Sequence, residues 1–74
     1  MAAKEIRAEI TGTVWKIERQ VGESVEIEDT IVILESMKME IPVLAPIRGR
    51  IADIRVAEGD AIEEGQVVAL IDAQ

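Results

Sequence analysis

Seventy-four residues with no Cys, His, Tyr or Phe leave room for one small domain, residues 1–74, and remove disulfides, thiolate metal sites and every Cys–His or Ser–His catalytic pair. Eight Lys+Arg against fifteen Asp+Glu give a formal charge of −7, which repels phosphate backbones and anionic lipid and so speaks against nucleic-acid or membrane-surface binding. Hydrophobic residues make up 49% of the chain, enough to fold rather than form an acidic tail.

In chain order, Met1-Ala2-Ala3-Lys4 leads into no signal-peptide core, and residues 1–4 are expected to fray. Apolar stretches then recur at residues 14–17, 31–34, 41–44, 51–56 and 67–71. Each is bounded by Gly, Pro or acidic residues, and none is long enough for a typical helix or a membrane span. Twelve Ile, eight Val and three Thr favour a pleated surface. Met39, Ile41 and Val43 would share one strand face, as would Ala52, Ile54 and Val56. Pro42 and Pro46 cannot donate a ladder hydrogen bond, which puts their strand at an edge or interrupts it. Trp15, the single aromatic residue, is assigned to the core. These features predict a cytoplasmic all-β domain.

The chain also repeats itself. An ungapped shift of 37 positions pairs Gly12 with Gly49, Val14 with Ile51, Gly22 with Gly59, Val25 with Ile62 and Leu34 with Ile71. Two copies of a four-strand unit are implied, at about residues 10–36 and 47–73, neither able to bury its apolar face alone. Packed face to face, they predict a flattened eight-strand barrel or sandwich with a pseudo-twofold axis. Gly12 and Gly49 would permit close approach, and Gly22 and Gly59 would sit in turns. Gly65 has Glu28 as its partner, so the first-half turn there is expected to be built differently. The joint between the copies falls near residues 36–40, which would project at the pole opposite the chain ends.

At that joint the chain reads Glu35-Ser36-Met37-Lys38-Met39-Glu40, and the flanking strands leave about two residues for a reversal. Tight hairpins want Asn-Gly or Asp-Gly, and Met37-Lys38 breaks that rule at roughly 1–2 kcal/mol per left-handed residue. A broken local rule in a small domain points to function, with Lys38 as an attachment point offered to other proteins. An ordinary surface lysine between two half-exposed methionines is the competing reading. A lysine amine is an ammonium at neutral pH, so acylation needs an enzyme that removes the proton and brings an activated acyl group. Ser24 and Ser36 have no base beside them, and the dispersed acids show no metal-loop spacing.

This hexapeptide resembles the modification motif of the biotinyl/lipoyl attachment domains, in which the lysine between two methionines carries biotin. Further matches are Ala45-Pro46-Ile47-Arg48-Gly49, Glu58-Gly59-Asp60 and Glu64-Gly65-Gln66 before an apolar final strand. The resemblance covers residues 10–72 and is strongest with small free-standing bacterial biotin/lipoyl attachment proteins and the biotin carboxyl carrier domains of biotin-dependent carboxylases. Ser36 stands where many members have Ala, Pro-Met-Pro is missing before Gly12, and the ungapped repeat has no room for the thumb of the bacterial acetyl-CoA carboxylase carrier.

The resemblance implies a barrel-sandwich hybrid that is a carrier and not an enzyme. A biotin protein ligase would attach biotin to Lys38 as an amide. A biotin carboxylase would then carboxylate the ureido nitrogen, and a carboxyltransferase would pass the carboxyl group to an acyl-CoA or similar acceptor. The carrier is expected to be a monomer in isolation. Met37 and Met39 either shield the hairpin ends or contact the ligase, and Glu35, Ser36 and Glu40 complete the recognition motif. The alternatives are a lipoyl carrier or dual biotin/lipoyl acceptor, and an unmodified structural adaptor.

Overall fold

β-Branched residues at alternating positions build eight strands. The computed structural model describes residues 3–73. In chain order they are β1 (Lys4–Arg7), β2 (Gly12–Ile17), β3 (Ser24–Val25), β4 (Thr30–Ser36), β5 (Met39–Leu44), β6 (Gly49–Ile54), β7 (Ala61–Ile62) and β8 (Val67–Ala73). They form two antiparallel four-stranded sheets, in the orders β1-β8-β6-β3 and β5-β4-β2-β7, within an envelope of 36 × 17 × 17 Å. Pro42 lies on β5, an edge strand, where its missing N–H breaks no central ladder.

The 37-residue offset runs through the pairing. Val14 faces Leu34 and Lys16 faces Ile33, leaving Trp15 as the extra residue of a bulge. In the other sheet Ile51 faces Ile71 and Asp53 faces Leu70, with Ala52 bulged at the equivalent place. Even the short pairs correspond, because Gly12 faces Ile62 and Val25 faces Gly49. These last pairs join opposite halves of the chain. Each sheet therefore takes two strands from each repeat, and the halves interlock instead of stacking as separate units.

Four expectations need correcting. The repeat begins earlier than residues 10 and 47, since Lys4 faces Ile71 just as Ile41 faces Leu34. Lys4, expected to fray, thus opens β1 with a pairing partner, while Met1 and Ala2 lie outside the described residues. Trp15 is not in the core: it follows buried Val14, so strand alternation turns it outward and leaves it 47% exposed, and the bulge keeps Lys16 on the same outer side. Finally, Glu28 adopts φ 74°, matching the 88° of Gly65, so both turns have one geometry despite different residues.

The core consists of equivalent pairs, namely Val14 with Ile51, Leu34 with Ile71, Val25 with Ile62 and Ile31 with Val68, all buried. Gly12 and Gly49 are the points of closest approach. A methyl group on Gly12 would sit 2.5 Å from the Glu35 carbonyl oxygen, and one on Gly49 would overlap the Asp72 carbonyl. The first of these contacts seats β2 directly against the neck of the central hairpin.

Candidate functional site: a lysine on a two-residue hairpin

Strands β4 and β5 pair through Leu34–Ile41, Glu35–Glu40 and Ser36–Met39, which leaves Met37 and Lys38 to reverse the chain. Both lie in the left-handed region, at φ 53° and 66°. Each costs about 1–2 kcal/mol relative to an unstrained residue. The ladder beneath holds the turn in place, anchored by fully buried Leu34. Gly would fit here without strain, so the two bulky side chains are kept against local preference.

Exposure follows from that geometry. Met37 is 92% exposed and Met39 63%, and Lys38 is exposed between them. Methionines that shield a hairpin against the sandwich would be covered, and these are not. Alternation divides the rest of the motif between two faces. Leu34 points into the core with half-buried Ile41 paired opposite it, so Ser36 and Met39 extend that face beyond it. Glu35 and Glu40 stand opposite one another on the outer face, and like charges so placed are destabilising. None of the ion pairs among the described residues engages Lys38, Glu35 or Glu40. The amine is exposed, and among the described residues it enters no side-chain hydrogen bond either. It can therefore become an amide only if another protein supplies both a proton acceptor and an activated acyl group. Among the described residues no group of three or more acids gathers as a metal site.

The motif reading singled out residues 35–40 but missed two supports. Gly12, from a distant strand, makes room for the Glu35 carbonyl and comes near Ser36. Its Gly49 counterpart was the available signal, although not for what it touches. The outer row below the acid pair, Pro42, Ile33 and Lys16 with Trp15 beside it, was also missed, because strand pairing across β5, β4 and β2 and the bulge that sets Lys16 on the same side as Trp15 leave no mark on periodicity.

The geometry is thus an exposed lysine on a strained two-residue tip that crowns two interlocked sheets. The family model described as biotin-requiring enzyme, of the biotin/lipoyl class, matches residues 1–71, and the chain belongs to that family. The chain is 42% identical over 69 residues to the biotinylated protein TB7.3 homolog of Mycobacterium leprae, covering 93% of this chain and 97% of that one. It is 36% identical over 63 residues to the biotin/lipoyl attachment protein of Bacillus subtilis, covering 85% and 86%. Among solved structures, the urea carboxylase of Kluyveromyces lactis superposes with a TM-score of 0.92 at 38% identity. That match covers 97% of this chain and only 6% of the carboxylase.

Proposed function

We propose that the protein is a biotin carboxyl carrier, modified at Lys38, and that it performs no chemistry of its own. The observation that carries this reading is Lys38 itself, exposed on a two-residue tip between Met37 and Met39. The site fits biotin because attachment needs only a free amine that a second protein can reach. A biotin protein ligase would take the proton from the Lys38 ammonium. Nζ then attacks the acyl carbon of an activated biotinyl-adenylate, the amide bond forms and AMP leaves. Bound there, biotin would supply a ureido nitrogen that accepts a carboxyl group from a biotin carboxylase and yields it to a carboxyltransferase.

What the chain contributes is placement. The interlocked sheets give the hairpin a rigid base, and the lysine side chain adds the first length of a movable arm. The net charge of −7 would steer encounter with basic enzyme surfaces. We place this exchange in the cytoplasm, with the carrier acting as a monomer. A lipoyl reading has one observation in its favour, the name of the Bacillus subtilis relative, which pairs both groups.

Intact mass spectrometry after incubation with a bacterial biotin protein ligase, biotin and ATP tests this function. The wild type should gain one biotinyl group, localised to Lys38 by peptide mapping, and Lys38→Arg should gain none. A wild type that stays bare, or that is modified at Lys4 or Lys16, would refute the reading. A parallel incubation with a lipoate ligase decides whether lipoate is also accepted.

A further inference from the structure

The pseudo-twofold supplies an internal control. Both halves make the same demands on the core, and equivalent positions there carry equivalent residues, such as Leu34 and Ile71. The outer faces match at Ile33 and its equivalent Leu70, both half-buried, but not around them. Trp15, Pro42 and Leu44 are exposed on the sheet that bears the lysine hairpin, where their equivalents on the other sheet are Ala52, Glu5 and Arg7. Val21 and Ile27 are likewise exposed where the second half has Glu58 and Glu64. The fold is built equally well with a small or charged residue at each of these positions. Their apolar character is therefore not a requirement of folding, and solvent-exposed apolar clusters mark interaction surfaces.

Position narrows the partner. Pro42 faces Ile33, which faces Lys16, and the bulge keeps Lys16 on the same outer side as Trp15. The next row towards the tip is Glu40, Glu35 and Thr13. At the rise of a β-strand these rows lie about 7 Å apart, so the apolar row sits close below the lysine turn. The equivalent of the Glu35–Glu40 pair is Asp72 with Ala3, so the doubled acid is also confined to this face.

We propose that the outer face centred on Trp15, Ile33 and Pro42 is the docking surface for the enzyme that acylates Lys38, the biotin protein ligase. This rests on the carrier reading above. The unmodified lysine reaches no further than its own side chain, so the enzyme that acts on it must lie against the protein surface next to the hairpin. Enzymes that act on the loaded arm work at a greater distance and need that surface less. The complementary ligase surface is apolar, with basic residues opposite Glu35 and Glu40.

The test replaces the face with the residues the fold already accepts at the equivalent positions: Trp15→Ala, Pro42→Glu and Leu44→Arg together. Biotinylation by a bacterial biotin protein ligase is measured as a function of carrier concentration, and folding by thermal melting. Loss of a docking anchor should raise KM by about tenfold or more while kcat stays within about twofold. Asp53→Ser, on the opposite sheet, should leave both unchanged. Trp15→Ala alone, at a half-exposed bulge, provides a milder variant whose KM should also rise if the triple variant melts early. In protein carrying 5-fluorotryptophan the single fluorine resonance should shift or broaden when ligase is added. A folded triple variant with wild-type KM, or a fluorine line blind to ligase, overturns the proposal while the carrier function stands. A wild type that is never biotinylated overturns both. A dimer of the wild type, abolished by the triple substitution at unchanged KM, would assign the face to a second copy and also overturn it.

Discussion

Replacing Glu28 by glycine should make the protein more stable. Glu28 sits at φ 74°, and its N–H donates to the Ala45 carbonyl at 2.8 Å. In the equivalent turn Gly65 sits at φ 88°, and its N–H donates to the Ala8 carbonyl at 2.8 Å. The two turns are the same structure, one built with the residue that suits it. Among the described residues, the Glu28 carboxylate enters none of the ion pairs or side-chain hydrogen bonds, so removing it forfeits no such contact. Relief of left-handed strain is worth about 1–2 kcal/mol. The greater freedom of glycine in the unfolded chain offsets about 0.5–1 kcal/mol of this. At the middle of these ranges a net gain of about 0.8 kcal/mol remains, which in a domain of this size raises Tm by roughly 3–6 °C. Gly65→Ala should move the other way, although space is open around its Cβ. Urea and thermal unfolding of both variants measure this directly. A Glu28→Gly protein no more stable than the wild type would show that the strain at this turn is no larger than the roughly 0.5–1 kcal/mol that glycine gives back in the unfolded chain, and would refute this reasoning.

Gly49→Ala should destabilise by about 3 kcal/mol or prevent folding, because the new methyl meets the rigid Asp72 backbone; unfolding midpoints in urea check it. Met37→Ala and Met39→Ala should leave Tm within a few degrees, since both side chains are exposed, yet lower kcat/KM for biotinylation by about tenfold. Equal rates would reduce the methionines to bystanders. Lys38→Arg should melt like the wild type, and a large drop in Tm would mean that this lysine has a structural task.

The repeat was legible because both halves bury the same shapes: Val14 and Ile51, or Val25 and Ile62, occupy equivalent core sites. The hairpin was legible because two apolar runs close upon one another with almost nothing between them. The interlocking was not, since an offset states which residues are equivalent and is silent on which sheet receives each strand. β1 was missed for a chemical reason. Lys4, Glu5 and Arg7 share nothing with Ile41, Pro42 and Leu44, and only Ile6 with Val43 and Ala8 with Ala45 keep the resemblance. Trp15 was misplaced because its size and apolar character were weighed above its position, and alternation from buried Val14 already points it outward. Glu28 defied the turn rules because about 1–2 kcal/mol of local strain cannot override two strands anchored on either side.

The interlocked halves also govern when the lysine becomes presentable. β8, the last strand, joins β1 to β6, and its Ile71 shares the core with Leu34 at the root of the hairpin. A lone pair of strands is marginal in water, and two left-handed residues at its apex add a further burden. During synthesis, then, the Met37–Lys38 turn would not persist until residue 71 has left the ribosome. Its shape certifies a finished domain, and a ligase that recognises that shape would pass over nascent or misfolded chains.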